Sequence, residues 1–368
     1  MSSKIELSEN IKKIIDFYGF EGELLGCKAF GNGHINDTIL IDYGIGKQYV
    51  LQKINKFVFK HPDELMANMA GVTAHLKKKV LAEGGDPDRE VLTIVPAANG
   101  DIFYIDENED YWRITKLITG ASSHDIVEKP EDFYITGKAF GRFQNQLSDY
   151  PADTLYETIP GFHDTRARYN NFIKSVEADV AGRCKEVEKE IKFILDRKEL
   201  AYYSMDSLDK GELPLRVTHN DTKINNLMID DVTGEAICVL DLDTVMPGFA
   251  MMDFGDAIRT GACTGLEDEK DLSLVHLDLN LYEQYAKGFI EGVDGKLTPH
   301  EVETFPMGAL GITYEQALRF LVDYIEGDVY YKTAYPEHNL VRTFTQIRMV
   351  EEMEANWDKI QNIIARYK

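Results

Sequence analysis

The sequence predicts an α+β protein that is divided into a small β-rich lobe and a larger helical lobe. Three observations lead to this fold class. The first third of the chain alternates apolar and polar residues between glycine turns, which is typical of strands. Beyond Gly120, apolar residues recur with helical periodicity. The chain has 368 residues and is 44% hydrophobic, so it can bury the cores of two lobes. We expect these lobes at 1–118 and 119–368.

About five strands and one helix account for the first lobe. The segment GCKAFGNGHINDTILIDYG predicts a strand, a glycine turn and a second strand, and KQYVLQKI predicts a third. A helix is expected over 61–85, because Pro62 stands at its start and Gly84 and Gly85 end it. Further extended segments are expected at 90–97, 101–106 and 111–118.

Helices dominate the second lobe. Helical periodicity covers the segments 130–148, 164–206, 271–291 and most of 313–366. The exception is a group of short apolar segments at 214–218, 225–230 and 236–242, which predict strands. A ligand site is expected where the two lobes meet, since clefts between lobes commonly bind small molecules.

The composition excludes several classes of protein. The net charge of −23 would repel nucleic acid and anionic membranes. The four cysteines show no paired spacing, which argues against a zinc site or a disulfide framework. The N-terminus MSSKIELSEN lacks the apolar core of a signal peptide, and no apolar run approaches the roughly 18 residues of a membrane span. We therefore expect a cytoplasmic monomer or homodimer that acts on a small molecule.

The segment VTHNDTKINNLMID concentrates polar residues between two apolar runs. Asn, Asp and Thr also form ordinary turns, so the composition alone does not establish a site. However, the hairpin that follows would bring Asn226 close to Asp241, and their oxygens suit Mg²⁺ together with phosphate. Asp221 could orient a hydroxyl group or accept its proton, and Lys223 could meet a phosphate. The set matches the needs of phosphoryl transfer: a metal ion, a carboxylate that positions the acceptor, and a cation.

The order of these residues resembles the catalytic loop of aminoglycoside phosphotransferases and protein kinases. The spacing His219-x-Asp221-(x)₄-Asn226 carries the resemblance, with Asp241 similar to the metal-binding aspartate of those families. The segments GNGHINDT, TIPGFHDTR, THNDTKINN, VLDLDTVMPG, DFGDAIRTG and DYIEGDVYYK together resemble N-acetylhexosamine 1-kinases. The resemblance implies a two-lobed, protein-kinase-like fold and transfer of a phosphoryl group from ATP, with Mg²⁺, to the anomeric hydroxyl of an N-acetylhexosamine.

Two further aspartates require a choice. The sequence contains a literal Asp253-Phe254-Gly255, which resembles the metal-binding triplet of protein kinases. We assign the metal to Asp241 instead, because in the families that the sequence resembles the metal-binding aspartate follows the loop by a short spacing and ends a strand, as Asp241 does. Asp253 then braces the catalytic loop, as the resemblance implies. Asp243 lies on the same strand face as Asp241 and is either a second metal ligand or a structural residue.

The nucleotide is expected to lie against the first lobe. Gly31 and Gly33 form a turn whose backbone amides could approach phosphates. Lys53 fits a phosphate-pairing lysine, although a surface lysine on a strand would look the same. Asn68 stands where the usual glutamate partner would be expected. Lys116 and Ile118 occupy the join between the lobes and could offer backbone groups to adenine.

The acceptor site follows from the resemblance. Arg319, Tyr330 and Trp357 match residues that contact the sugar in N-acetylhexosamine 1-kinases. His34 follows the glycine turn and could face the cleft, and Asp221 would orient the sugar hydroxyl. The assignment of Tyr330 is open by one position because Tyr331 follows it, and Trp357 could equally belong to the core. The sequence gives no role for the FHDTR segment at 162–166.

Two alternatives remain open at this point. The same fold could phosphorylate choline, homoserine, a thiosugar or an aminoglycoside, and the acidic surface would suit a cationic acceptor. The chain could instead be a catalytically dead protein that binds a nucleotide or a sugar. The presence of Asp221, Asn226 and Asp241 argues against the second alternative.

Overall fold

A computed structural model describes residues 8–30, 36–44 and 46–368. The strands are β1 (Gly26–Ala29), β2 (Asp37–Asp42), β3 (Gln48–Lys53), β4 (Tyr104–Ile105), β5 (Tyr111–Lys116), β6 (Ala121–Ser122), β7 (Arg216–Thr218), β8 (Leu227–Asp230), β9 (Ala236–Val239) and β10 (Met246–Gly248). The helices are α1 (Glu9–Tyr18), α2 (Pro62–Ala82), α3 (Pro87–Glu90), α4 (Pro130–Gln146), α5 (Thr165–Ala178), α6 (Glu188–Leu195), α7 (Lys198–Asp209), α8 (Ala250–Gly261), α9 (Leu279–Val293), α10 (Pro299–Glu303), α11 (Phe305–Glu326), α12 (His338–Ala355) and α13 (Trp357–Tyr367). None of the described helices is long and apolar enough to cross a membrane.

The described residues form two compact units, and both are discontinuous in sequence. The first unit lies within Met1–Ser122 and adds Leu155–Pro160 and Met228–Val245. The second unit comprises Ser123–Thr154, Gly161–Leu227 and Met246–Lys368. The hairpin of β8 and β9 therefore belongs to the first unit, together with Asp241, whereas Asp221 belongs to the second. The single boundary predicted between residues 118 and 119 therefore does not separate these two units.

A five-stranded antiparallel sheet forms the frame of the first unit, with the strand order β1-β2-β3-β5-β4. Helix α2 begins at Pro62 as predicted. Helix α1 was not predicted, although Ser8 caps its N-terminus, Gly19 ends it in a left-handed conformation, and Ile11, Ile15 and Tyr18 recur at helical spacing.

The two faces of this sheet have different roles. Leu51, Trp112 and Ile114 pack with α1 in one apolar cluster. Because successive side chains of a strand point to opposite faces, Gln52 and Arg113 project to the other side. There the Arg113 guanidinium contacts the Met69 sulfur on α2. The polar residues on this face therefore lie away from the α1 core.

The extended segment predicted at 90–97 pairs with β5 only briefly. The Val95 N–H donates to the Ile114 carbonyl, and the Lys116 N–H donates to the Thr93 carbonyl. Pro96 follows and has no N–H, so the ladder cannot continue through it. The expected strand over the whole of 90–97 was wrong, because α3 extends to Glu90 at one end and Pro96 stops the pairing at the other.

Helices of the second unit approach one another closely through glycines. On α11, a Cβ added to Gly308 would lie 2.0 Å from the backbone oxygen of Met251 on α8. On α8, a Cβ added to Gly255 would lie 2.4 Å from the Gly308 oxygen. The two helices can therefore pack at this distance only with glycine at both positions.

The Gly308→Ala variant should lower the free energy of unfolding by about 1–3 kcal/mol, because its methyl group overlaps backbone that cannot move independently. Urea unfolding followed by circular dichroism measures the change. Gly311→Ala on the same helix is the matched control, since its Cβ would meet nothing within 4 Å. Its stability should be unchanged or higher, because alanine favours the helix. Equal effects of the two substitutions would contradict the close packing of α8 and α11.

Candidate active site

Three polar side chains meet in the loop between β7 and β8. The Lys223 ammonium lies 2.8 Å from one Asp221 carboxylate oxygen. The Asn226 amide donates to the other carboxylate oxygen at 2.9 Å and to the Asp221 backbone oxygen at 2.8 Å. The residues 224–226 form a single 3₁₀ turn, which brings Asn226 back over Asp221. The structure therefore brings together three of the five residues predicted for catalysis and metal binding.

Asp221 is ionised in this arrangement. Burial alone would raise the pKa of its carboxyl group, but the Lys223 ammonium and the Asn226 amide lower it below the usual range. Burial likewise would lower the pKa of Lys223, and the Asp221 carboxylate raises it. The pair therefore carries one negative and one positive charge at neutral pH.

A buried carboxylate on α8 fixes the start of this loop. One Asp253 oxygen accepts from the His219 N–H at 2.8 Å, and the other accepts from the Asn220 N–H at 2.7 Å. The Gln144 side chain donates to the same carboxylate at 2.7 Å. Burial raises the pKa of Asp253, while these donors oppose the rise. The prediction that Asp253 braces the loop around Asp221 is confirmed.

The backbone of the loop adopts an uncommon conformation immediately before Asp221. Asn220 has a φ of 63°, in the left-handed region that non-glycine residues seldom occupy. Its side-chain oxygen accepts from the Thr218 hydroxyl at 3.0 Å. Such strain persists where surrounding bonds determine the conformation, as they do here. The bracing therefore sets the direction in which Asp221 leaves the loop.

A second carboxylate on α8 was not identified from the sequence. One Asp256 oxygen accepts from the Thr222 N–H at 3.0 Å, and the other pairs with Arg259 at 3.1 Å. Arg259 also pairs with Glu267 at 3.2 Å. The segment DFGDAIRTG thus supplies two braces, three positions apart on one helix face. That spacing was the signal available in the sequence.

Asp241 and Asp243 lie in the first unit. Asp241 has a φ of 52°, so it also adopts the left-handed conformation. The Asp243 carboxylate forms an ion pair with Arg113, and its other oxygen accepts from the Asn36 amide at 2.7 Å. Both oxygens of Asp243 are thus bound to protein donors, which favours the structural role over a second metal ligand.

The structure describes some of the residues that were predicted to bind the nucleotide, but not all of them. Gly31 and Gly33 lie outside the described residues. The Lys53 ammonium pairs with Asp110 and lies over the Trp112 ring, on the sheet face that carries the α1 cluster. Gln52 and Arg113 occupy the face that meets Asp243, so the assignment of Lys53 as the phosphate-pairing lysine is corrected. The physical reason is the alternation of side chains along β3.

The predicted join between the lobes follows β5. The Lys116 N–H donates to Thr93, and the Leu117 N–H donates to Gln48, so both amides are committed to strand pairing. The Lys116 side chain pairs with Asp88 at 3.3 Å. Ile118 is buried and comes directly after these residues. A role of Lys116 and Ile118 in binding adenine stays a prediction.

An arginine cluster contains one of the predicted acceptor residues. The Arg319 guanidinium lies 5.5 Å from the Phe162 ring centroid and 5.7 Å from that of Tyr331. Gln316 bridges them, because it accepts from Arg319 and donates to the Tyr331 hydroxyl, both at 3.2 Å. Tyr331 therefore accompanies Arg319 directly, whereas the neighbouring Tyr330 is 54% exposed.

The other acceptor predictions receive no comparable support. His34 lies outside the described residues. Trp357 is half-buried at the first position of α13. Its role in binding an acceptor stays a prediction.

The FHDTR segment binds a buried glutamate on α11. Nδ1 of His163 lies 2.9 Å from one Glu315 oxygen, and the Thr165 hydroxyl donates to the other at 2.5 Å. Arg168 lies 3.6 Å from the same carboxylate. Burial would raise the pKa of Glu315, but His163, Arg168 and Arg319 lower it to about 2. Burial and the charge of Arg319 in turn lower the pKa of Arg168.

Comparisons with known proteins agree with this architecture. A sequence model described as "Phosphotransferase enzyme family" matches residues 26–287. A microcompartment-associated aminopropanol kinase has a TM-score of 0.61 at 16% identity, covering 95% of this chain and 97% of that chain. An aminoglycoside phosphotransferase from Alicyclobacillus acidocaldarius has a TM-score of 0.59 at 10% identity, covering 99% and 98%. An amicoumacin kinase in complex with AMP-PNP, Ca²⁺ and Ami has a TM-score of 0.58 at 13% identity, covering 95% and 94%. The predicted kinase-like α+β fold class is confirmed.

The Asp253→Asn variant should lose about 1–3 kcal/mol of stability, because an amide can accept through only one atom and its NH₂ group would face a backbone donor. Urea unfolding at pH 7 measures the loss. Asp278→Asn is the matched control, since Asp278 also accepts two backbone N–H bonds but does so at the N-cap of α9. Asparagine is an equally good N-cap, so this control should change little. Equal stability of Asp253→Asn and wild type would contradict the bracing role.

The Glu315→Gln variant should lose stability in a pH-dependent way. The folded pKa of about 2 lies below the ordinary glutamate value, so the ionised carboxylate stabilises the fold above about pH 4.5. This contribution should fall as the pH drops from about 4.5 towards 2. Urea unfolding between pH 7 and pH 3.5 should therefore show a gap between wild type and variant that narrows below about pH 4.5. A gap that stays constant or widens on acidification would contradict the assignment.

Proposed function

The chain belongs to the phosphotransferase enzyme family, and within that family we propose that it is a kinase for N-acetylhexosamines. It would transfer the γ-phosphoryl group of ATP to the anomeric hydroxyl of N-acetylglucosamine or N-acetylgalactosamine. The observation that carries the proposal is the braced loop, in which Asp221 binds Lys223 and Asn226, and Asp253 accepts from the backbone N–H of Asn220 immediately before them. The sequence resemblance supplies the acceptor.

Asp221 would orient the sugar hydroxyl and take its proton. The low pKa of this carboxyl group makes it a weak base, which is sufficient if the proton leaves late. Phosphoryl transfer generally has a loose transition state that needs little activation of the nucleophile. Positioning of the hydroxyl therefore accounts for more of the rate than its deprotonation. Lys223 would move from Asp221 towards a phosphate oxygen during the reaction.

Phosphoryl transfer from ATP requires a divalent cation. Both amide N–H groups of Asn226 point at Asp221, and no described residue donates to its side-chain oxygen. Asn226 and Asp241 would hold the cation with their oxygens, together with nucleotide phosphates, as Mg²⁺ prefers. No cluster of three or more His, Cys, Asp or Glu side chains that could bind a metal occurs within the described ranges. When bound, the cation offsets phosphate charge.

The nucleotide is proposed from the family and from the ligands of similar structures. The amicoumacin kinase contains AMP-PNP with Ca²⁺, and a spectinomycin phosphotransferase contains ADP. Gly31, Gly33, Lys116 and Ile118 remain the residues proposed to contact ATP. Lys53 is left out of this set, because its ammonium pairs with Asp110 on the face that carries the α1 cluster.

The charge of the arginine cluster favours a neutral acceptor over a cationic one. Arg168 and Arg319 share the single carboxylate of Glu315, so the cluster carries excess positive charge. The positive charge of Arg259 opposes the charged forms of both Lys223 and Arg319. The arginine cluster and the catalytic loop therefore experience the charge of the same residue. A hydroxyl-rich sugar could accept hydrogen bonds from guanidinium groups and pack on the rings of Phe162 and Tyr331. A protonated amine would be repelled.

Cationic acceptors are the alternative that comparison with other structures suggests. Several similar structures are kinases for aminopropanol, choline or aminoglycosides. A protein that binds a nucleotide or sugar without turnover is the remaining alternative. An acceptor panel that contains both neutral amino sugars and amines separates these possibilities.

The Asp221→Asn variant should abolish turnover while leaving nucleotide binding nearly intact. Loss of a group that orients and deprotonates the acceptor lowers kcat by about 10²–10⁴-fold. ADP release with N-acetylglucosamine and with N-acetylgalactosamine measures turnover, and isothermal titration calorimetry with ADP measures binding. Asp231→Asn is the control, because Asp231 lies in the first unit and hydrogen-bonds there with Ser122 and Gly120. Substantial activity of Asp221→Asn would remove Asp221 from the catalytic role.

A further inference from the structure

Four side chains hold the short segment that begins at Asp241, and all of them lie in the first unit. Arg113 and Asn36 bind the carboxylate of Asp243, two positions beyond Asp241. The Thr158 hydroxyl donates to the Asp243 backbone oxygen at 3.1 Å. The Asn68 amide donates to the Val245 backbone oxygen at 3.1 Å. The segment is thus fixed through the Asp243 carboxylate and through the backbone oxygens of Asp243 and Val245.

We propose that Asp243 and Arg113 are positioning residues that hold Asp241 in the geometry a divalent cation requires. The inference rests on the proposed function, because Asp241 is a metal ligand only within it. In this account Asp243 does not bind the cation. Its carboxylate instead anchors a 3₁₀ turn, residues 242–244, whose preceding residue is the left-handed Asp241.

Burial and rigidity favour anchoring. The side chains of Arg113 and Asp243 are 2% and 4% exposed. Arg113 is fixed in turn, because its Nε and one terminal nitrogen donate to the Gln52 side-chain oxygen at 3.0 and 2.9 Å. A guanidinium with two nitrogens bound to the same acceptor has little rotational freedom, so it fixes the carboxylate that it pairs with. The turn after Asp241 is therefore attached to the centre of the sheet.

The hydrogen bonds of Asn68 explain why an asparagine stands where a glutamate was expected on α2. Its amide group donates to the Tyr156 oxygen at 2.8 Å and its side-chain oxygen accepts from the Tyr156 N–H at 2.9 Å. The second donation goes to Val245. A glutamate has no donor for these carbonyl oxygens. Asn68 therefore ties the 155–160 segment to the end of the Asp241 segment.

Anchoring and metal ligation predict opposite effects when Arg113 is removed. If Asp243 were a metal ligand restrained by Arg113, losing the arginine would free a buried carboxylate, and the cation would bind more tightly. If Asp243 anchors the turn, losing the arginine loosens Asp241, and the cation binds more weakly. Residues that orient metal ligands typically contribute about 10–100-fold to metal affinity.

The experiment is a titration of Mn²⁺ into the ADP complex, with free Mn²⁺ measured by electron paramagnetic resonance. Protein is kept in excess over ADP so that little free nucleotide chelates the metal, and no acceptor or turnover is needed. Arg113→Gln should weaken Mn²⁺ binding by about tenfold or more. Affinity that is unchanged or tighter would overturn the proposal.

Arg89→Gln is the matched control. It removes another arginine–aspartate pair of the first unit, 2.8 Å long, at Asp230 on the other end of the hairpin. Its Mn²⁺ affinity should stay within about twofold of wild type, because Asp230 is not part of the Asp241 segment. A loss equal to that of Arg113→Gln would mean that any weakening of the first unit lowers metal affinity, and would overturn a specific role for Arg113.

Arg113→Lys keeps the experiment decisive if Arg113→Gln does not fold. Lysine retains the buried charge but loses the fork that binds Gln52, so anchoring predicts several-fold weaker Mn²⁺ binding. Metal ligation by Asp243 predicts equal or tighter binding, which would again overturn the proposal. If wild type binds Mn²⁺ with ADP but phosphorylates no sugar, only the acceptor assignment fails. If wild type binds no Mn²⁺ with ADP, the proposed function and this inference fail together.

Discussion

The Asp253 carboxylate is the constraint on which the loop around Asp221 depends. It accepts two consecutive backbone N–H bonds, from His219 and Asn220, inside a fully buried environment. A buried anion of this kind persists only when donors surround it, and the loop backbone supplies those donors. The close packing of α8 against α11, which Gly255 and Gly308 permit, brings the carboxylate to this depth. Helix packing therefore determines where Asp221 stands.

The first unit uses the same physical device for a different loop. Asp243 is a buried carboxylate whose donors come from Arg113 and Asn36. It stands two positions after the left-handed Asp241. In the second unit, Asp253 supports the left-handed Asn220 in a similar way. Each predicted functional aspartate thus lies in or directly after a strained backbone position that a neighbouring carboxylate stabilises. Strain of this kind is concentrated at functional sites because the surrounding bonds must determine it.

The sequence predicted the parts of this architecture that depend on local pattern. The helix from Pro62 follows from periodicity and the loop around Asp221 from its turn residues, whereas the bracing by Asp253 follows from the family resemblance. Arg113 was missed because its partner Asp243 lies 130 positions away, and a lone arginine in a strand looks like a surface residue. Lys53 was assigned to the wrong face for a related reason: alternation separates the two faces of β3 but does not say which face meets Asp243. Glu315 and His163 likewise become interpretable only when α11 and the FHDTR segment come together.

We propose that this phosphotransferase phosphorylates the anomeric hydroxyl of an N-acetylhexosamine. The most direct measurement is ³¹P NMR of the purified protein with ATP and Mg²⁺ and, separately, N-acetylglucosamine, N-acetylgalactosamine, glucose, choline and kanamycin. The account predicts a new sugar 1-phosphate signal, split by the anomeric proton, with an N-acetylhexosamine and no product with choline or kanamycin. A phosphorylated product from choline or kanamycin alone would contradict the proposed acceptor and the charge argument for the arginine cluster.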